Sequence, residues 1–173
     1  MSGAAYLGLV ALCARDGALG AALIADFEVS AADHLFAQVG LGALVCLPEG
    51  DSNVADVLFA RLREGVDAGG ALAKTMRARA DARLRHAACV DAGGRTADFA
   101  GEGLQDRHPA ASRPRIAALG RGLSNARIPS AVVSDFDRRG DDELGARMIA
   151  ALAAGIAAGD GRPRQRQPDA SEK

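Results

Sequence analysis

Apart from its first few residues, the chain opens on an unbroken apolar run from Tyr6 to Ala14. That length suits a strand and falls well short of a membrane span. Arg15-Asp16-Gly17 follows, and the Asp-Gly pair predicts a tight hairpin because both residues tolerate positive φ. A second apolar run returns from Leu19 to Phe27. A third spans Val39 to Cys46, after a short loop or helix around Ser30 to Ala37. Runs that are apolar on both faces predict a sheet covered on both sides.

Beyond Pro48-Glu49-Gly50 the spacing of apolar residues becomes helical. Asp51 or Ser52 would cap a helix carrying Val54, Val57, Leu58 and Leu62, stopped by Gly65. A second helix starts near Gly70, turns Leu72 and Met76 inward, and runs into Arg77, Arg79, Arg83 and Arg85. With Asp81 among them, these arginines read as a solvated face. His86 to Asp91 and Arg95 to Ala100 flank Ala92-Gly93-Gly94 and alternate like a half-exposed hairpin. Gly101 to Pro114 reads as loop, Ile116 to Leu123 as strand, and Pro129 to Phe136 as helix. The clearest helix is capped by Asp141, carries Leu144, Met148, Ile149, Leu152 and Ile156 on one face, and ends at Gly159. Strands, helices, strands, then helices predict an α+β fold of two antiparallel sheets with helices outside. Residues 1–160 form a single domain in this reading, and the charged, proline-bearing 161–173 a disordered tail.

Composition narrows the function classes. Among 173 residues, 21 basic side chains face 22 acidic ones, and the formal charge of −1 lacks the basicity of a general nucleic-acid binder. Neither a nucleic-acid nor a membrane partner is expected. Aromatic residues are 3% of the chain, so the core must be built from Ala, Val, Leu and Ile. Cys13, Cys46 and Cys89 are too dispersed for a disulfide framework and point to a reducing, cytoplasmic setting. No Cys-x-x-Cys or His-Glu-x-x-His spacing exists, so neither a metal nor a cofactor is expected. Asp98, Glu102 and Asp106 read as solvated carboxylates rather than an acid–base pair.

Several strings, taken in order, carry a resemblance. They are Ala14-Arg15-Asp16 with its return Leu19-Gly20, Val39-Gly40-Leu41-Gly42-Ala43, Gly65 followed by Ala71-Leu72, and Val90-Asp91-Ala92-Gly93-Gly94-Arg95. The last is Ala158-Gly159-Asp160-Gly161-Arg162-Pro163-Arg164-Gln165, similar to a Gly-Gly-Asp-x-Arg-Gly-x-Gln signature. Over residues 6–166 the chain resembles a bacterial uncharacterised family, domain of unknown function 1028, grouped with the N-terminal-nucleophile (Ntn) hydrolases. The resemblance implies an Ntn-hydrolase-like αββα sandwich. It also implies a Thr, Ser or Cys nucleophile at the free terminus of the first strand, with its own α-amine as general base. An oxyanion hole and a nearby lysine or arginine complete such sites.

The chain departs from that pattern where chemistry would occur. The nucleophile position falls near Leu9, a Ser-Lys-Phe-like triplet reads Ala25-Asp26-Phe27, and the signature leads to Arg166-Gln167-Pro168-Asp169 rather than another apolar strand. A degenerate, non-catalytic binding or scaffolding protein is therefore expected, and a homo-oligomer. The alternative is an amidohydrolase of small amides or peptides that uses Ser2 after loss of Met1, or less readily Cys13. Ser2 lies about seven residues from Leu9, over roughly 20 Å of extended chain. Asp160, Arg162, Gln165 and His34 are the candidate substrate-binding residues. A further alternative is a regulatory module that binds an anionic metabolite through Arg162, Arg164 and the Arg77–Arg85 face.

Overall fold

The computed structural model describes residues 5–47, 52–104 and 108–159. It is an α+β protein with two antiparallel four-stranded sheets. The first sheet has the order β2-β1-β8-β7, built from β1 (Tyr6–Leu12), β2 (Leu19–Ala25), β7 (Ala110–Arg113) and β8 (Ile116–Arg121). The second has the order β3-β4-β5-β6, from β3 (Leu35–Gln38), β4 (Gly42–Leu47), β5 (His86–Asp91) and β6 (Thr96–Ala100). The helices are α1 (Ala31–His34), α2 (Ser52–Arg63), α3 (Ala68–Arg77), α4 (Ile128–Arg138) and α5 (Leu144–Ala158).

Alternation along the central strands sorts the core into three apolar layers. From β1, Tyr6, Val10 and Leu12 face Ala43, Val45 and Leu47 of β4 between the sheets. Leu7, Leu9, Ala11 and Cys13 point the other way, against Val132, Phe136, Met148 and Leu152 of α4 and α5. Leu44, Cys46, Ala87 and Cys89 meet Leu58, Leu72 and Met76 of α2 and α3. Each fully buried leucine contributes about 1.5–3 kcal/mol, so these layers dominate stability. Small side chains set their spacing. A Cβ on Gly155 of α5 would sit 2.5 Å from Val132 Cγ2 of α4.

Several elements differ from the sequence reading. The first hairpin is wider than a two-residue turn: Cys13 N–H donates to the Ala18 carbonyl, and only Gly17 (φ 73°) is left-handed. Asp16 instead accepts from the Ala18 N–H at 3.0 Å. The third apolar run is a turn followed by one strand, β4, and its partner β3 comes from the segment read as loop or helix. Phe36 in β3 pairs with Leu44, and exposed Val39 with Gly40 forms the turn. β5 is not half-exposed but central and buried along its length. β7, inside the segment read as loop, is a short edge strand exposed at most of its positions.

The helix surfaces change as well. The α5 cap is Glu143, which accepts from Gly145 N (3.1 Å) and Ala146 N (3.2 Å); Asp141 does not cap it. Its buried face is Leu144, Arg147, Met148, Ala151, Leu152 and Gly155, while Ile149 is 71% exposed. The arginine series is not a solvated helix face either. α3 ends at Arg77, and Arg79 and Arg85 grip Asp81 from two sides, with Arg85 buried. Hydrogen bonds from Arg79 and Arg85 hold the Asp81 carboxyl far below the usual carboxylate range. Among the described residues no helix is long and apolar enough to cross a membrane.

Candidate functional site at the start of the first strand

Register brings three distant parts of the sequence to one end of the sandwich. Tyr6 opens β1 between Ala25, the last residue of β2, and Arg121, the last of β8. In the other sheet His86 opens β5, opposite Leu47 and Ala100. The Tyr6 side chain points between the sheets, and its hydroxyl lies 2.9 Å from His86 Nδ1. The His86 ring meets His108 edge-on, with centroids 5.2 Å apart.

Burial decides the charge states of this pair. Desolvation, reinforced by His108 and the Arg121 guanidinium, pushes the His86 imidazole down to about 3. Burial also raises the Tyr6 phenol well above its ordinary range. Both are neutral near pH 7, so the contact is a neutral hydrogen bond in a buried layer. His86 Nε2 is buried with no hydrogen-bond partner among the described residues. That orphan costs about 1–3 kcal/mol.

Beside this pair opens an apolar cleft of about 220 Å³, with Tyr6, Leu7, Ile24, Leu123, Ile128 and Ile156 on its walls. Ile24 and Ile156 are among the few large apolar side chains left exposed, at 40% and 36%. The polar groups on the rim are already engaged by backbone. Asp26 Oδ1 accepts from Ala5 N at 2.8 Å, and Ser124 Oγ donates to the Gly159 carbonyl. Nothing on the described walls pairs a nucleophile with a base. The geometry suits retention of a small apolar body rather than attack on one.

A family model described as a family of unknown function, DUF1028, matches residues 7–169. The chain belongs to the DUF1028 family. A solved structure shares its fold: protein SPO2555 from Silicibacter pomeroyi, itself described by the DUF1028 model, superposes with a TM-score of 0.82 at 21% identity. The match covers 90% of this chain and 69% of that one. No curated protein matches.

Within this DUF1028 chain the residues singled out from sequence fall in different places. Leu9 lies in mid-strand, paired with Ala22 and Ala118, fully buried and turned toward α4 and α5. The strand begins three residues earlier, at Tyr6. Asp26, where the resemblance calls for lysine, ties down the chain entering β1. Cys13 sits at the far end of β1 in the layer under α4 and α5. His34 is buried, with Nδ1 donating to the Cys46 carbonyl at 3.0 Å, and does not line the cleft. Ser2, Asp160, Arg162, Arg164 and Gln165 lie outside the described residues. Cys89 is fully buried, donates to the Ala68 carbonyl, and is pushed up to about 12 by burial, so its thiol stays protonated.

Sequence reasoning missed the Tyr6–His86–His108–Arg121 grouping. Positions 6, 86, 108 and 121 share no spacing, and only the register of two sheets unites them. The available signal was that Tyr6 is the sole tyrosine and opens the first strand.

Proposed function

We propose that this DUF1028 chain has an Ntn-hydrolase-like αββα sandwich that has lost covalent catalysis and binds a small, apolar-bodied ligand at the start of its first strand. The observation that carries this reading is the strand itself. The position matched to the nucleophile is Leu9, a buried hydrocarbon facing the helices, and the strand's opening is filled by a neutral Tyr6–His86 pair. An acyl transfer needs an activated nucleophile beside a base; this end offers an apolar wall. The exposed Ile24 and Ile156 supply the surface that a ligand would cover.

Fluorescence titration with the neutral apolar dye 1-aminoanthracene tests the binding reading. Saturable uptake at one site is expected, weakened about tenfold or more by Ile156→Asp, since a carboxylate is costly to cover with an apolar body. Absence of saturable uptake, or indifference to Ile156→Asp, would count against the cleft.

A second reading rests on one geometric fact. Because the strand starts at Tyr6 and Ala5 lines the cleft, Ser2 is only three residues from the cleft wall, at most about 10 Å of chain. An amidohydrolase using Ser2 and its freed amine is therefore the competing proposal.

A further inference from the structure

The far end of the sandwich holds a second cavity, built quite differently. It measures about 350 Å³ and is lined by Leu12, Arg15, Arg115, Phe136, Asp137 and Arg147, among others. Three arginines from three separate parts of the chain line it. Arg147 is the telling one. It lies in the first turn of α5, 7% exposed, with its Cζ 3.9 Å over the Phe136 ring and Nη2 donating to the Phe136 carbonyl at 2.9 Å.

A guanidinium stays protonated, and it carries five N–H donors. No carboxylate pairs with Arg147 among the described contacts, and its Nε is buried without a hydrogen-bond partner. A cation in the first turn also faces the positive end of its own helix. Burial, the missing counter-ion and the helix end all make this charge expensive, and an anion in the cavity would offset all three.

The other two arginines are set by backbone. Arg15 is held by a hydrogen bond from Nη1 to the Asp141 carbonyl at 3.1 Å. Arg115 is the non-glycine residue found in the left-handed region among the described residues, at φ 72°. Its N–H donates to the Gly94 carbonyl and its own carbonyl accepts from Leu12 N. Those bonds would form equally well with glycine, so the turn does not require the strained arginine. Of the two carboxylates on the wall, Asp137 is already taken by Arg113 at 2.7 Å, and the other is Asp141. Asp16, 4.0 Å from Arg15 Nη2, faces that cation from beside the cavity, whereas Arg115 and Arg147 have no carboxylate partner among the described residues, which leaves the cavity short of negative charge.

We propose that this cavity binds a small oxyanion, a phosphate or dicarboxylate group, through Arg15, Arg115 and Arg147. The site is independent of the cleft at the other end of β1, so either can fail without the other. Calorimetric titration of the full chain with inorganic phosphate and, separately, with succinate at low ionic strength tests it. Arg147 is packed on Phe136, and replacing it would probe folding as much as binding. The variants are therefore Arg115→Gly, which relieves the left-handed strain and should melt no lower than the native chain, and exposed Arg15→Ala. Saturable binding of at least one anion is expected, weakened about tenfold or more by each variant, as loss of a charge-assisted contact implies. The tighter of the two probes identifies the group. Failure of both anions to saturate, or affinities unchanged in both variants, would overturn the assignment.

Discussion

Replacing Asp91 by alanine is expected to lower the unfolding free energy by about 3 kcal/mol, the largest loss from any single polar side chain here. Asp91 ends β5, is almost wholly buried, and uses both oxygens. Oδ1 accepts from Gly93 N at 2.9 Å and Arg95 N at 3.0 Å; Oδ2 accepts from Ala68 N at 3.1 Å and Arg95 Nε at 2.9 Å. One carboxylate thus closes the β5–β6 turn and satisfies a donor at the start of α3. Alanine would leave the Ala68 N–H buried without an acceptor, next to a fully buried residue. Orphaning buried donors and losing charge-assisted bonds sum to about 3 kcal/mol. For a chain of this size that is a fall in Tm of roughly 6–12 °C. The side chain of Arg95 is 65% exposed, so Arg95→Ala should cost under about 1 kcal/mol. Urea unfolding followed by circular dichroism measures both. A loss below about 1 kcal/mol for Asp91→Ala would contradict this assignment.

The second large effect concerns pH. His86 takes up a proton near its ordinary value of 6.5 when unfolded but only near about 3 when folded. Between those values the unfolded chain binds a proton that the folded chain refuses, so stability falls as pH falls through this window. Two pH units below 6.5 this amounts to about 3 kcal/mol. His86→Asn should flatten the slope of unfolding free energy between pH 6.5 and 4.5. Asp81 is shifted in the same direction for a different reason, a carboxyl held low by Arg79 and Arg85. Its contribution is lost only in more acidic solution, as pH falls below the ordinary carboxylate range. A native slope as shallow as that of His86→Asn would show that the Tyr6–His86 layer is wetter than its burial implies.

Much of the scaffold was legible in the apolar pattern. β1, β8 and the long α5 announce themselves because their burial is dense and local, and half-buried β2 because its seven residues are all apolar or glycine. β3 and β7 do not. Both are four-residue edge strands, half or more exposed, and only pairing with β4 and β8 makes strands of Leu35–Gln38 and Ala110–Arg113. On α5, Ile149 looked inward because helical spacing fixes a stripe but not its orientation. Packing against α4 turned Gly155 and Arg147 inward instead. The site was less legible still. Residues at 6, 86, 108 and 121 meet through register across two sheets, and Arg15, Arg115 and Arg147 line one cavity through turns whose geometry the sequence conceals. Sequence alone places Leu9 and Asp26 where the resemblance calls for a nucleophile and a lysine, and the proposed function rests on that match.

The most direct test of the proposed loss of covalent catalysis is the intact mass of the full chain after exposure to a β-lactone, an electrophile that acylates activated Thr, Ser and Cys side chains. Unchanged mass, with no turnover of small amides, is the predicted result. A single acyl adduct mapping to Ser2, accompanied by amide hydrolysis that Ser2→Ala abolishes, would contradict it and establish the competing reading.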